Sequence, residues 1–249
     1  MALREEFERE GNWLFRWRSY FPFLMLPLLL IGLRQSEVLE RTFGSSVENI
    51  WDLVCMAVSF SGFAFRCVTL GWVPEGTSGR NTKGQLAEVL NTKGIYSIVR
   101  HPLYFGNFLI TLGLILFIES WWLAMFYVMA FWLYYERIMF AEEEFLRKKF
   151  GEQYVRWSGE TPAFIPNFSK WQPPVATFSI RMILKREYSG FLGIIVGFTA
   201  LKFFAQLLTE GEFKLSPVWF VFLGIGFATF GILYTLRKKT KLLHIEKRS

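Results

Sequence analysis

The chain alternates long apolar runs with shorter polar, cation-rich breaks. Six runs stand out: Trp13 to Leu33, Ile50 to Val73, Leu103 to Ile118, Trp121 to Ile138, Tyr188 to Leu208 and Pro217 to Leu236. The first is clean only from Tyr20 and is broken by Pro22 and Pro27. A bilayer core about 30 Å thick takes roughly 20 helical residues. The second, fifth and sixth runs have that length, and the short third run begins at the interface. Aromatic residues mark many ends: Trp51, Trp72, Trp121, Trp122, Tyr134, Tyr135, Tyr188 and Tyr234. Such a belt belongs to a membrane protein. The pattern predicts an all-α, polytopic membrane helix bundle of about six transmembrane helices. Internal repeats and low-complexity tracts are absent from it.

Composition sharpens this picture. The chain has 249 residues, 52% hydrophobic and 19% aromatic, with 28 Lys and Arg against 21 Asp and Glu, a net charge of +7. Excess positive charge suits either a nucleic-acid binder or a membrane protein with basic cytoplasmic loops. The placement of the charges decides. Of the 28 cations, 22 lie in residues 1–19, 74–102, 139–187 and 237–249, which share one side if the runs alternate. The opposite loops, 34–49, 119–120 and 209–216, hold 3. This asymmetry predicts both termini in the cytoplasm, in a bacterial inner membrane or the endoplasmic reticulum. It excludes a nucleic-acid face, since no soluble domain is left to carry one. The charged first 19 residues, with no small-residue cleavage site after the first run, do not read as a cleavable signal peptide. Cys55 and Cys67 share the second run and read as packing residues. Three cations fall inside the runs when the first is taken from Tyr20. Lys202 reads as a snorkelling cation. Arg66 either snorkels or faces a polar cavity in the bundle. Arg137 closes the fourth run.

Hydrophilic sequence concentrates in residues 74–102 and 139–187, so a site for a water-soluble cofactor is expected there, in a cytoplasmic pocket. Residues 74–85 read as a loop rich in Gly, Ser, Asn and Thr. Pro102 suits the first turn of the third helix, which sets Arg100 and His101 at its positive end, where free N–H groups and the helix dipole attract anions. Alone, the pair also reads as ordinary interfacial cations. In the second stretch the fourth helix continues past the membrane edge and carries Glu142, Glu143 and Glu144. Pairs at i,i+4, Glu143 with Arg147 and Glu144 with Lys148, would make this a solvated face. That reading suits Glu144, whereas Glu142 and Glu143 converge with the first stretch on one membrane face.

In order, the chain carries Gly94-Ile-Tyr96, Arg100-His101-Pro102-Leu-Tyr104-Phe-Gly106, Glu142-Glu143-x-x-Leu146 and Phe150-Gly151-x-x-Tyr154. This resembles the integral-membrane methyltransferases of the isoprenylcysteine carboxyl methyltransferase and phospholipid methyltransferase type, over roughly residues 90–166. Trp157 stands where Tyr is frequent, Arg137 lies a step from the position of the acidic motif's leading Arg, and a helix pair follows residue 187. The resemblance implies S-adenosylmethionine as methyl donor, entering from the cytosol, and a membrane lipid or lipidated substrate as acceptor. Carried over by position, Gly94, Tyr96, His101, Pro102, Tyr104, Gly106, Glu142 and Glu143 would bind the cofactor. Arg100, Glu143 and Arg137 would act in catalysis, and Arg66, Arg80 and Asn107 would meet the substrate. Residues 1–89, 90–170 and 171–249 then divide as two spans with their loop, the methyltransferase core and a C-terminal membrane extension. Carboxyl methylation of a prenylated cysteine is the alternative reaction. An NADPH-dependent membrane reductase of the sterol type and a non-enzymatic scaffold are the alternatives of other classes.

Overall fold

A computed structural model describes residues 2–20, 25–34, 36, 38–73, 85, 87–209, 211, 215–240 and 242, apart from the side chains of residues 40 and 41. The helices are α1 (Leu3–Trp17), α2 (Leu26–Leu33), α3 (Val38–Phe43), α4 (Ser45–Trp72), α5 (Pro102–Leu116), α6 (Trp121–Phe150), α7 (Glu152–Glu160), α8 (Ile180–Thr209) and α9 (Pro217–Lys239). No β-strand occurs among the described residues, where one antiparallel bridge joins Gly94 to Gln172. Among the described residues three helices, α4, α8 and α9, are long and apolar enough to cross a membrane.

The described parts of the apolar runs lie mainly in helix, and two helices extend well beyond their runs. α6 carries the fourth run on to Phe150 and stops at Gly151, whose φ is +52°. α8 begins at Ile180, eight residues before the apolar run. The charged N-terminal segment is itself helical: α1 reaches into the start of the first run and runs antiparallel along α6. Ion pairs hold it there: Arg4 to Glu144 at 2.5 Å, Glu8 to Lys148 at 2.5 Å and Glu10 to Arg137 at 2.8 Å.

The core between α5 and α6 is aromatic, which rigid rings with large buried area make possible. Phe131 stacks on Tyr135 at 4.1 Å, and Tyr135 lies 5.0 Å from Tyr104. Tyr135 is thus an interior residue and not part of an interfacial belt. α4 and α5 approach closely where small residues let backbones meet. A Cβ on Gly62 would lie 2.6 Å from the carbonyl oxygen of Gly106. Nearby, Ser59 donates its hydroxyl to the carbonyl of Ile110 at 2.7 Å. This contact fixes the helix that begins with the Arg-His-Pro sequence.

Candidate active site

Gly94 opens the site segment. Its φ of +61°, unfavourable for other residues, turns the chain into a 3-10 turn over Ile95–Ser97. The segment docks on residues 161–172. Backbone N–H groups of Arg100 and His101 donate to the carbonyls of Pro162 and Ala163 at 2.9 and 3.1 Å, and the Asn167 N–H donates to Ile98 at 2.9 Å. Trp157 donates its indole N–H to the Tyr96 carbonyl at 3.0 Å. Trp157 is therefore a structural tie between α7 and the site segment, a role that its N–H provides.

The segment delivers His101 to α6. Its Nε2 lies 3.0 Å from Oε1 of Glu143, and its Nδ1 lies 3.4 Å from Oε2 of Glu142. Tyr104, one turn into α5, donates its hydroxyl to Glu142 at 2.7 Å. Arg100 sets Nε 3.3 Å from Glu143 Oε1 and donates from Nη1 to the Ser158 carbonyl at 3.3 Å. Two basic side chains and two carboxylates thus interlock, with His101 only 7% exposed. Burial opposes the imidazolium, but hydrogen bonds to Glu142 and Glu143, and their charges, outweigh it and hold the His101 pKa above the ordinary value. Burial likewise opposes the Glu143 carboxylate, and the hydrogen bond and charge of His101, with the Arg100 charge, outweigh it and hold that pKa low. The two shifts agree: His101 and the carboxylates each favour the charged form of the other.

Tyr154 comes from α7 to the same point. It is fully buried, and its hydroxyl faces the Glu143 carboxylate. It feels the Glu143 charge, which adds to burial in raising its pKa. Beside Arg100 a polar groove of about 600 Å³ opens between Ser158, Thr161, Pro162, Asn167 and Lys170. Tyr96 is close enough to Glu142 for that charge to add to burial in raising its pKa.

The predicted residues divide. Arg100, His101, Tyr104, Glu142 and Glu143 come together, Pro102 begins α5 beside them, and Gly94 and Tyr96 support them. Gly106 does not line this cluster: a Cβ there would lie 2.5 Å from Cγ of Arg66, so its smallness accommodates the Arg66 stem. Arg66 and Asn107 form a separate cluster. Arg66 Nη1 donates to Asn107 Oδ1 at 2.6 Å, while Nε and Nη2 fork onto Glu187 at 3.1 and 2.6 Å. Of the two readings of Arg66, the polar interior is the one found. Arg137 pairs with Glu10 on α1. Arg80 and the 76–82 loop lie outside the described residues.

The acidic run needs correction. Glu144 is buried, 4% exposed, and pairs with Arg4 at 2.5 Å and, at i,i+3, with Arg147 at 3.7 Å. Lys148 bonds Glu8, and Glu143 is taken by Arg100 and His101. The Glu144–Lys148 pair gives way because α1 covers that face of α6, and Glu143 is drawn instead to the site segment. Lys202 is likewise no snorkelling cation: it pairs with Glu48 at 2.5 Å and lies 3.9 Å from Asp52. Sequence reading passed over Glu187, the buried partner of Arg66. An acid at the edge of a span, opposite an intramembrane Arg, was the available signal.

This is a helical membrane protein with a charged site at the start of one helix and the extended end of the next. Residues 75–153 match the phospholipid methyltransferase family. Over 158 residues the chain is 37% identical to the cobalt-zinc-cadmium resistance protein CzcN of Cupriavidus metallidurans, covering 63% of this chain and 64% of that protein. It is 32% identical over 119 residues to the nickel-cobalt-cadmium resistance protein NccN of Alcaligenes xylosoxydans xylosoxydans, covering 48% and 55%. It is 31% identical over 78 residues to the protein-S-isoprenylcysteine O-methyltransferase of Schizosaccharomyces pombe, covering 31% and 33%. The chain thus spans between one third and two thirds of the length of these relatives. No solved structure matches. The likeness to isoprenylcysteine and phospholipid methyltransferases read from the sequence is borne out.

Proposed function

We propose that the protein transfers the methyl group of S-adenosylmethionine to a polar or anionic headgroup of a membrane lipid. The observation that carries this reading is His101 held between Glu142 and Glu143, with Arg100 beside them, inside the segment similar to phospholipid methyltransferases. The residues fit the cofactor. Its ammonium and sulfonium cations suit the two carboxylates and the rings of Tyr104 and Tyr154. Its carboxylate suits the N–H groups that α5 leaves unpaired in its first turn. Glu142, Glu143 and His101 would hold the polar ends, with Gly94, Tyr96, Pro102 and Tyr104 forming the wall.

When bound, S-adenosylmethionine supplies an electrophilic methyl group. The chain positions and shields. His101 fixes the orientation of both carboxylates, and Arg100 draws an anionic acceptor toward the groove. The aromatic wall of Tyr104 and Tyr135 excludes water, so that alignment does most of the work. A phosphate or carboxylate acceptor needs no general base, unlike an ammonium acceptor. In this reading both termini are cytoplasmic, about six spans cross the membrane, and residues 90–170 are the core flanked by 1–89 and 171–249.

The 31% identity to an isoprenylcysteine enzyme over 78 residues favours one second reading, methylation of a prenylated cysteine carboxylate. Incubating membranes that contain the protein with radiolabelled S-adenosylmethionine, then separating lipid from protein, tests the two. Label in the lipid fraction is expected, and label confined to protein replaces the first reading by the second. In a thermal-shift assay S-adenosylhomocysteine stabilises the protein and NADPH does not. Stabilisation by NADPH alone overturns methyl transfer in favour of a reductase, and no response to either favours a scaffold.

A further inference from the structure

A second cavity lies apart from the charged site, between α1 and α6. Its volume is about 720 Å³, and Arg9, Glu10, Trp13, Leu14, Met25, Ala130, Leu133, Tyr134 and Arg137 line it. Its two ends differ. Arg9, Glu10 and Arg137 cluster where the apolar run of α6 ends, and the other residues descend beside that run. Trp13 and Leu133 are more than half exposed, so the groove opens sideways. The Tyr134 hydroxyl donates to the Leu14 carbonyl at 3.2 Å and closes its floor. Arg137 spends Nε on Glu10 and Nη1 on the Leu133 carbonyl. Among the described residues no acceptor takes its Nη2 and no carboxylate pairs with Arg9. The polar end therefore carries two guanidinium groups against one carboxylate.

We propose that this groove binds one membrane lipid with an anionic phosphate headgroup, the phosphate between Arg9 and Arg137 and an acyl chain along Trp13, Leu14, Ala130 and Leu133. Charge and depth agree: forked guanidinium donors match phosphate, and in the six-span reading proposed above they stand at headgroup level, above an apolar channel that opens sideways. Cavities of this size are in the range that holds small-molecule ligands. The binding is independent of methyl transfer, and its test reads no activity.

The full-length protein is reconstituted in phosphatidylcholine nanodiscs containing a minor fraction of phosphatidylglycerol with a photoactivatable acyl chain. Crosslinked sites are mapped after irradiation. Label is expected to concentrate on Trp13, Ala130 and Leu133, and to exceed that from an equally labelled phosphatidylcholine. Arg9→Gln should cut this preference about fivefold, the worth of one cation against an anionic lipid. Ala130→Trp, which fills the channel from a position already on the groove wall, should abolish the concentrated label while leaving the background on α9. Equal labelling by both lipids removes the phosphate assignment. Label spread evenly over all lipid-facing helices, or unchanged in Ala130→Trp, overturns the site.

Discussion

Removing the carboxylate of Glu187 should unfold the bundle from within. Arg66 on α4 and Glu187 on α8 form a two-pronged ion pair at 3.1 and 2.6 Å, with side chains 17% and 3% exposed. Glu187→Ala leaves the guanidinium in the interior with Asn107 as its remaining polar contact. Breaking a buried pair by deleting one partner costs about 3–5 kcal/mol. For a chain of this size each kcal/mol moves Tm by roughly 2–4 °C, so the melting temperature should fall by about 6–20 °C. The double variant Arg66→Met/Glu187→Leu removes both charges at similar volume and should recover most of that loss, because the penalty belongs to the unpaired charge and not to the missing attraction. Thermal unfolding of purified protein in one detergent, followed by intrinsic Trp fluorescence, measures all three variants. If Glu187→Ala melts with the wild type, or the double variant is as unstable as the single, the pair is not the buried structural link described above.

Three further outcomes follow from the same geometry. Glu142→Ala and His101→Ala should each abolish the stabilisation by S-adenosylhomocysteine and lower methyl transfer at least about a hundredfold, the scale of a mispositioned reactant. A folded variant with full activity would sink the site assignment. The His101–Glu143 pair should stabilise the protein most between their ordinary pKa values, 6.5 and 4.5. The raised His101 pKa contributes fully below 6.5, a contribution lost as pH rises through its folded value. The depressed Glu143 pKa contributes above 4.5, a contribution lost as pH falls through its folded value. The difference in Tm between wild type and Glu143→Gln against pH should therefore peak in that window, and a flat difference refutes the coupling. Gly106→Ala should destabilise by about 1–3 kcal/mol, since the new methyl would meet Arg66 Cγ at 2.5 Å and the Gly62 carbonyl oxygen at 2.8 Å. An unchanged denaturation midpoint would show that α4 and α5 can separate there.

The helices were legible because apolar runs and their polar breaks are one-dimensional signals, as were Arg100, His101, Glu142 and Glu143. What the sequence hid is pairing across helices. Glu144 and Lys148 satisfy a local i,i+4 rule, yet α1 supplies Arg4 and Glu8 from more than 130 residues away. Gly106 reads like a pocket residue until Arg66 is seen lying across it.

The charges of α4 and α8 carry the most structural information of those that sequence reading set aside. α4 has acids near its start, Glu48 and Asp52, and Arg66 near its end. α8 carries Glu187 in its first third and Lys202 fifteen residues later. Antiparallel, the two helices can match both ends: Arg66 meets Glu187, and Lys202 meets Glu48. Parallel packing, or a slip by one turn, would set like charges together or leave a charge unpaired in a low-dielectric interior, at a cost of several kcal/mol. The two ion pairs therefore select one direction and one register for α8, as polar groups at interior positions do in helical coils. α8 lies beyond the segment matched to phospholipid methyltransferases, and Arg66 rests on Gly106 in the same helix turn region as Asn107. The C-terminal helices are thereby fastened to the helix whose first residues carry the candidate site, so that the extension sets how firmly that site is held.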